Sequence, residues 1–266
     1  EHFFDGYKED PETSLKILDA VISTKVECFV FCDTNGGTLP SEVHEIISEI
    51  ISKYPKANFG VHFQNDNGCA VANSMVAVDL GVNHVQGTIN GYGERTGNAD
   101  LCTLIPNLTL KKGYQTISER SLGQLTQTAN HIAELVNVAI DSRHPYVGSS
   151  AFTHKAGLHA SGMAKDSSLY EHIDSAAVGN FTRTTVSELA GRASVLTKAE
   201  EFGLEFNNDD AKKLIEEVQN LEHMGYQFEA ADGSLFILMN KLKNIEPNFF
   251  KFESFRVFSE RRNSEN

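Results

Sequence analysis

A strand followed by a helix recurs three times in the first part of the chain, and this repeat limits the possible folds more than any other feature. The first strand, VECFVFC, is an unbroken apolar run, typical of a strand covered on both faces. Such repeats form parallel sheets with right-handed crossovers, either open or closed into a barrel. We therefore predict an α/β fold, with residues 1–7 as the tail of a further strand. The predicted strands cover residues 26–32, 57–62 and 82–89, and the predicted helices cover residues 10–23, 40–53, 69–80 and 99–108.

The pattern changes after residue 113. A long helix is predicted over residues 122–140, because apolar residues recur there at helical spacing. The stretch that follows is rich in Gly, Ser and His without periodicity, which indicates a structured functional loop or a flexible linker. Further helices are predicted over residues 179–192, 209–224 and 235–242, and the last twenty residues resemble the opening strand of another domain.

The composition excludes several classes of protein. A formal net charge of −13 and a pI near 5.2 argue against nucleic-acid binding, which needs clustered Lys and Arg. No apolar run reaches the roughly 20 residues that span a bilayer, and the first residues do not resemble a signal peptide. We therefore expect a cytoplasmic protein without nucleic-acid or membrane partners. Reduced thiols without zinc-ribbon spacing are expected at all four cysteines, Cys28, Cys32, Cys69 and Cys102.

Polar side chains follow the second and third predicted strands. The second strand runs into the sequence HFQND, and the third runs into NGYGERTGNAD. The carboxyl ends of parallel strands share one edge of the sheet, and mixed His and oxygen donors there favour a divalent cation. Other interpretations stay open, because the glycines could simply allow tight turns and a lone histidine is often an ordinary polar residue. Glu94 and Arg95 could equally form a structural ion pair.

Five motifs in order resemble one family of enzymes. They are FCDTNGGTLP, VHFQND, NGYGERTGNADLC, AFTHKAGLHASG and YEHI. The chain is similar to the acyl-transferring Claisen-condensation enzymes, which include 2-isopropylmalate, homocitrate and citramalate synthases. EHFFDGYK and VSELAGRAS are most similar to the citramalate branch, which implies pyruvate as the 2-oxo acid and a step toward isoleucine. 2-Oxoisovalerate, the substrate on the route to leucine, is the alternative.

The resemblance implies an architecture that this chain would fill only in part. Family members have a (β/α)8 TIM barrel, a helical linker that reaches the partner subunit, and a C-terminal regulatory domain. The predicted regions are therefore the second half of the barrel at 1–113, a helical linker with an active-site loop at 114–200, a second helical subdomain at 201–246, and the start of a truncated domain at 247–266. We expect a homodimer in which linker residues act in trans.

The resemblance also assigns a metal and a cofactor site. His62 matches the first histidine of the family's His-x-His pair, Gln64 occupies the place of the second, and Asn98 matches the asparagine beside the metal. The implied metal is Mg²⁺, Mn²⁺ or Zn²⁺, which would bind the 2-oxo acid and stabilise the developing alkoxide. Acetyl-CoA is the implied co-substrate. The residues predicted to bind it are Asn90, Gly91, Gly93, Glu94 and Arg95.

Three further residues match catalytic positions of the family. Glu1 matches the carboxylate near the acetyl group, whereas His159 and Tyr170 match the linker residues that act in deprotonation and thioester hydrolysis. Two departures limit this assignment: an amide replaces one imidazole at Gln64, and the first-strand Arg-Asp pair has no match. We therefore expect the chain alone to be inactive. The rival hypotheses are a lyase or carboxyltransferase of the same barrel superfamily and a degenerate homologue without catalysis.

Overall fold

The chain forms two units in a computed structural model that describes residues 1–24, 26–154, 169–184, 191–228, 231–245 and 253–259. The first unit contains residues 1–153 and 166–183, and the second contains residues 154–165 and 184–266. Each unit has its own apolar core. The predicted strand-helix repeat lies in the first unit.

A parallel three-stranded sheet forms the centre of the first unit. Its strands are β1 (Phe29–Asp33), β2 (Phe59–Phe63) and β3 (His84–Gln86), in the order β1-β2-β3. Aromatic side chains cover the helix-facing side, where the rings of Phe31 and Phe59 stack with centroids 5.1 Å apart. The sheet confirms the predicted parallel α/β fold, although each strand is shorter than the apolar run that predicted it.

The helices of the repeat lie close to their predicted positions. Proline at the first helical position fits two of them, because the missing N–H has no partner in the first turn. The Asp10 side chain also caps α2 by accepting a hydrogen bond from the backbone N–H of Thr13 at 3.0 Å. The helices are α1 (Phe3–Glu9), α2 (Pro11–Ile22), α3 (Pro40–Lys53), α4 (Ala70–Asp79) and α5 (Leu101–Pro106), and a π-turn (Asn107–Lys111) follows α5.

The prediction of a strand tail at residues 1–7 was wrong, since the helix α1 begins at Phe3 within this segment. Phe4 and Tyr7 stand one helical turn apart and are both buried, so one face of the helix packs onto the core. Phe3 adds a contact to Phe31 of β1, with ring centroids 4.2 Å apart. A run of aromatic residues this short fits a strand or a helix equally well, and packing onto the sheet decides between them.

The remainder of the first unit is less regular than predicted. The predicted helix over residues 122–140 is two shorter helices, α6 (Glu119–Leu122) and α7 (Leu125–Val136). The second of these ends at Asn137, whose backbone is left-handed with φ 56°. Residues 179–182 of the helix predicted over 179–192 are irregular, and residues 185–190 of that prediction lie outside the described residues. Two short strands, β4 (Thr153–His154) and β5 (Arg183–Thr184), pair with each other.

Three helices pack around the core of the second unit. They are α8 (Arg192–Glu201), α9 (Asn208–His223) and α10 (Asp232–Leu242), and the last two confirm helices predicted from the sequence. Asn207 begins α9 with a capping box, because its side chain accepts from the backbone N–H of Asp210 at 2.9 Å and the Asp210 carboxylate accepts from the backbone N–H of Asn207 at 3.1 Å. The described residues 253–259 form no strand, in contrast to the strand-like pattern of the sequence.

Candidate metal and acyl-transfer site

Gln64 and Asn98 face each other just beyond the end of β2. They form an antiparallel bridge, and the backbone hydrogen bonds on either side of it join their chain neighbours at 2.9 and 3.0 Å. This pattern defines a non-hydrogen-bonded pair, in which the two side chains leave the backbone close together on one face. The fold therefore brings together two of the three residues predicted as metal ligands, across 34 positions of sequence.

Both amides direct a buried oxygen to a place without a hydrogen-bond partner. Gln64 Oε1 and Asn98 Oδ1 are buried and accept no hydrogen bond within the described structure. The Asn98 amide nitrogen donates to the backbone oxygen of Tyr92 at 2.9 Å, which fixes Oδ1 as the free atom. An unpaired buried carbonyl oxygen costs on the order of 1–3 kcal/mol unless a donor or a cation satisfies it. Two such oxygens on facing residues fit a cation that prefers oxygen ligands.

His62, the third predicted ligand, lies on β2 two residues before Gln64, where the chain is still extended. Side chains two apart on a strand share a face, so His62 and Gln64 point to the same side of the sheet. The Nδ1 atom of His62 contacts Oε1 of Gln86 on β3 at 3.2 Å, and the two residues are register partners. Nε2 is thus the ring nitrogen available to a metal.

The donors in this site are one imidazole and two amides. Among the residues that the structure describes, no group of three or more His, Cys, Asp or Glu side chains could hold a metal ion. These three residues would therefore offer a divalent cation only neutral donors.

Arg95 forms its closest contacts with other loops of the same edge and a longer ion pair with Glu94. Its guanidinium donates to both carboxylate oxygens of Asp66, with Nε–Oδ1 at 2.7 Å and Nη2–Oδ2 at 2.8 Å, and also to the backbone oxygen of Thr34 at 3.0 Å. Glu94 is 3.8 Å away. These hydrogen bonds hold the pKa of Asp66 below its usual range. Arg95 thus joins the loops after β1, β2 and β3, and the sequence did not predict that Arg95 pairs with Asp66 or Thr34.

The glycine-rich segment is a tight turn whose backbone approaches itself closely. Gly97 has φ +91°, and a Cβ atom there would lie 1.9 Å from the backbone oxygen of Gly91. A Cβ atom at Gly93 would lie 2.0 Å from the amide nitrogen of Asn98. These contacts support the turn interpretation left open by the sequence, and they show how the turn sets the position of Asn98.

Asn90 has structural partners. Its amide nitrogen donates to the backbone oxygen of Ala129 in α7 at 2.9 Å, and its oxygen accepts from the thiol of Cys102 at 3.4 Å. Burial raises the pKa of the Cys102 thiol to about 12. All four cysteines are free, as predicted.

A buried carboxylate supports the loop that follows β1. Asp33 is fully buried and accepts hydrogen bonds from the backbone N–H and hydroxyl of Thr38, at 3.1 and 2.8 Å. Burial raises its pKa. The backbone oxygen of Thr38 in turn accepts from the amides of Asn67 and Asn73. The structure thus shows that Asp33 supports the loop after β1.

The structure describes two of the three predicted catalytic residues, Glu1 and Tyr170. Glu1 is exposed at the start of α1, next to His2, whose backbone N–H donates to the hydroxyl of Thr34 at 2.7 Å. Tyr170 is partly exposed in the first unit. His159 lies outside the described residues. Across the described part of the chain, every helix is too short or too polar to cross a membrane.

Two family models match the chain in succession. The model described as HMGL-like matches residues 3–132, and the model described as homocitrate synthase post-HMGL domain-like matches residues 146–225. The first match contains the sheet and the predicted metal ligands. The second match contains the two predicted catalytic residues of the linker, His159 and Tyr170.

Curated relatives align over almost the entire chain. The (R)-citramalate synthases of Aquifex aeolicus and Geobacter sulfurreducens are 47% and 44% identical over 98% and 100% of the chain. A probable 2-isopropylmalate synthase of Archaeoglobus fulgidus is 33% identical over 91% of it. The chain spans about half the length of the curated relatives it matches. A crystal structure of the HMG-CoA lyase of Bacillus subtilis covers 50% of the chain, and the chain covers 45% of that structure, with 22% identity and a TM-score of 0.45.

Proposed function

We propose that the chain is part of an acyltransferase that condenses acetyl-CoA with pyruvate to give citramalate. The chain belongs to the HMGL-like family and continues into a domain of the homocitrate synthase post-HMGL type. The observation that carries this proposal is the identity of 40–47% to five (R)-citramalate synthases over at least 97% of the chain. Relatives named 2-isopropylmalate synthase are 31–33% identical. This difference favours pyruvate over 2-oxoisovalerate.

The proposed metal site supports the same chemistry. His62, Gln64 and Asn98 would hold a divalent cation, because their free donor atoms are one ring nitrogen and two buried amide oxygens. A bound cation would act as a Lewis acid on the oxo-acid carbonyl and stabilise the developing alkoxide. The family resemblance implies that a carboxylate completes the ligand set. The chain would then fill the second half of a (β/α)8 barrel.

The surrounding residues would hold in place the edge of the sheet at which the substrate binds. Arg95 holds the loops after all three strands in one arrangement, and the glycine turn fixes Asn98 against β2. Preorganised groups of this kind lower the cost of rearrangement when charge develops in the transition state. The glycine-rich turn would also approach acetyl-CoA through its backbone. Glu1 would lie near the acetyl group, and His159 and Tyr170 would act from the partner subunit of a homodimer in deprotonation and thioester hydrolysis.

The test is the release of free CoA by the full-length protein that contains this chain. With acetyl-CoA and Mn²⁺ or Mg²⁺, we expect thiol release that depends on pyruvate, citramalate in the product mixture, and a lower kcat/KM with 2-oxoisovalerate. His62→Ala should abolish the reaction, whereas His44→Ala, at an exposed position on α3, should not change it. Release of no CoA with pyruvate would refute the proposal, and a preference for 2-oxoisovalerate would identify the enzyme as a 2-isopropylmalate synthase.

A further inference from the structure

A row of three polar side chains crosses the face of the sheet that carries the predicted ligands. Oε1 of Gln86 lies 3.2 Å from Nδ1 of His62, and Nε2 of Gln86 lies 3.3 Å from Nε2 of His84. Gln86 is the register partner of His62, and His84 stands two residues earlier on the same strand, opposite Gly60. All three side chains therefore project from one face.

Gly60 makes room for the outer end of this row. A Cβ atom at Gly60 would lie 2.7 Å from Cδ2 of the His84 ring and 3.0 Å from a methyl group of Val30. Any larger residue at this position would displace the ring. The missing side chain at Gly60 thus leaves room for the His84 ring at a position where it contacts Gln86.

The orientation of the Gln86 amide indicates one tautomer of His62. In this orientation the amide oxygen faces Nδ1 of His62 and accepts, so Nδ1 carries the proton and donates it. The amide nitrogen of Gln86 can only donate, so Nε2 of His84 accepts. Both contacts are satisfied at once when neutral His62 keeps its free lone pair on Nε2. This is the tautomer that a histidine needs to bind a metal through Nε2.

We infer that Gln86 is a positioning residue that holds His62 in its metal-binding tautomer and ring orientation. The inference rests on the proposed metal site. The sequence analysis assigned no role to Gln86. Partners that accept from the distal nitrogen of a metal-binding histidine fix its ring, and their removal costs about 10–100-fold in metal affinity. A neutral amide is used here where a carboxylate or a backbone oxygen often serves.

The tautomer of His62 can be observed without metal or substrate. In the ¹⁵N-histidine-labelled chain, the His62 signals are assigned by their loss in His62→Ala, and long-range ¹H–¹⁵N spectra report which ring nitrogen is protonated. We expect protonated Nδ1 in the unmodified chain and a shift toward protonated Nε2 in Gln86→Met. Gln86→Glu keeps an acceptor and should retain the original form. Gln127→Met, at an exposed position on α7, is the matched control.

Mn²⁺ affinity of the full-length protein provides the second measurement. Gln86→Met should weaken Mn²⁺ binding by about 10–100-fold, and Gln86→Glu should restore it. Protonated Nε2 in the unmodified chain would overturn the inference, as would an unchanged tautomer and Mn²⁺ affinity in Gln86→Met. If the expected tautomers are found but no 2-oxo acid releases CoA, the synthase proposal fails and the role of Gln86 in orienting His62 stands.

Discussion

Replacing Gly97 by alanine should destabilise the chain through the turn that positions Asn98. The added Cβ atom would lie 1.9 Å from the backbone oxygen of Gly91, whereas ordinary contact begins at 3.4 Å. The two backbones must separate by about 1.5 Å, which breaks the 2.9 Å hydrogen bond from Asn98 N–H to that oxygen. A left-handed alanine costs about 1–2 kcal/mol, and the lost hydrogen bond adds about 1 kcal/mol. We therefore expect a loss of about 2–3 kcal/mol in the free energy of unfolding.

Gly113 provides a control that separates the two contributions. Its backbone is also left-handed, with φ +76°, and no atom lies within 4 Å of a Cβ built there. Gly113→Ala should therefore cost only the left-handed penalty of about 1–2 kcal/mol. Urea unfolding followed by far-UV circular dichroism measures both variants. Equal losses in Gly97→Ala and Gly113→Ala would show that the close approach to Gly91 does not constrain the turn.

Two more predictions concern ionisable groups. Hydrogen bonds from Arg95 hold the pKa of Asp66 below its unfolded value of about 3.9. Their contribution to stability is therefore present above that pH and is lost as the pH falls through the lower folded pKa. Unfolding measured against pH should show a steeper acid loss in the unmodified chain than in Asp66→Asn, and parallel curves would contradict the role of the pair. Because burial raises the pKa of Cys102 to about 12, iodoacetamide should modify partly exposed Cys69 first and Cys102 only after unfolding. Peptide mass spectrometry measures both rates, and equal rates in the folded chain would contradict the burial of Cys102.

The alternation of strands and helices could be predicted because it depends on the local periodicity of apolar residues. VECFVFC is apolar without interruption, and Pro40 followed by Glu42 marks a helix start, which the structure confirms with a 2.7 Å hydrogen bond from Leu39 N–H to Glu42. Such signals involve residues a few positions apart. The helix α1 lacked such signals, because its formation depends on how Phe4 and Tyr7 pack against a core built from other segments.

The partners of the site residues could not be predicted from the sequence. Polar residues at two strand ends predicted that donors would collect at one edge, and the Gln64–Asn98 bridge agrees with that expectation. Which residue meets which depends on strand register, and a shift by one residue moves a side chain to the opposite face. The contact of His62 with Gln86 depends on register in this way, whereas the contact of Arg95 with Asp66 depends on the conformation of two loops.

The glycines of the NGYGERTGN segment illustrate how far a motif can be understood without a structure. Three glycines in nine residues suggest either a phosphate cradle or a tight turn, and composition alone does not separate them. The observed close approaches at Gly93 and Gly97 involve the chain's own Asn98 amide and Gly91 oxygen. These glycines therefore fold the turn onto itself, and their effect on the site is to set Asn98 opposite Gln64. Any contribution to acetyl-CoA binding would be made by the outer backbone of a turn whose inner surface is already occupied.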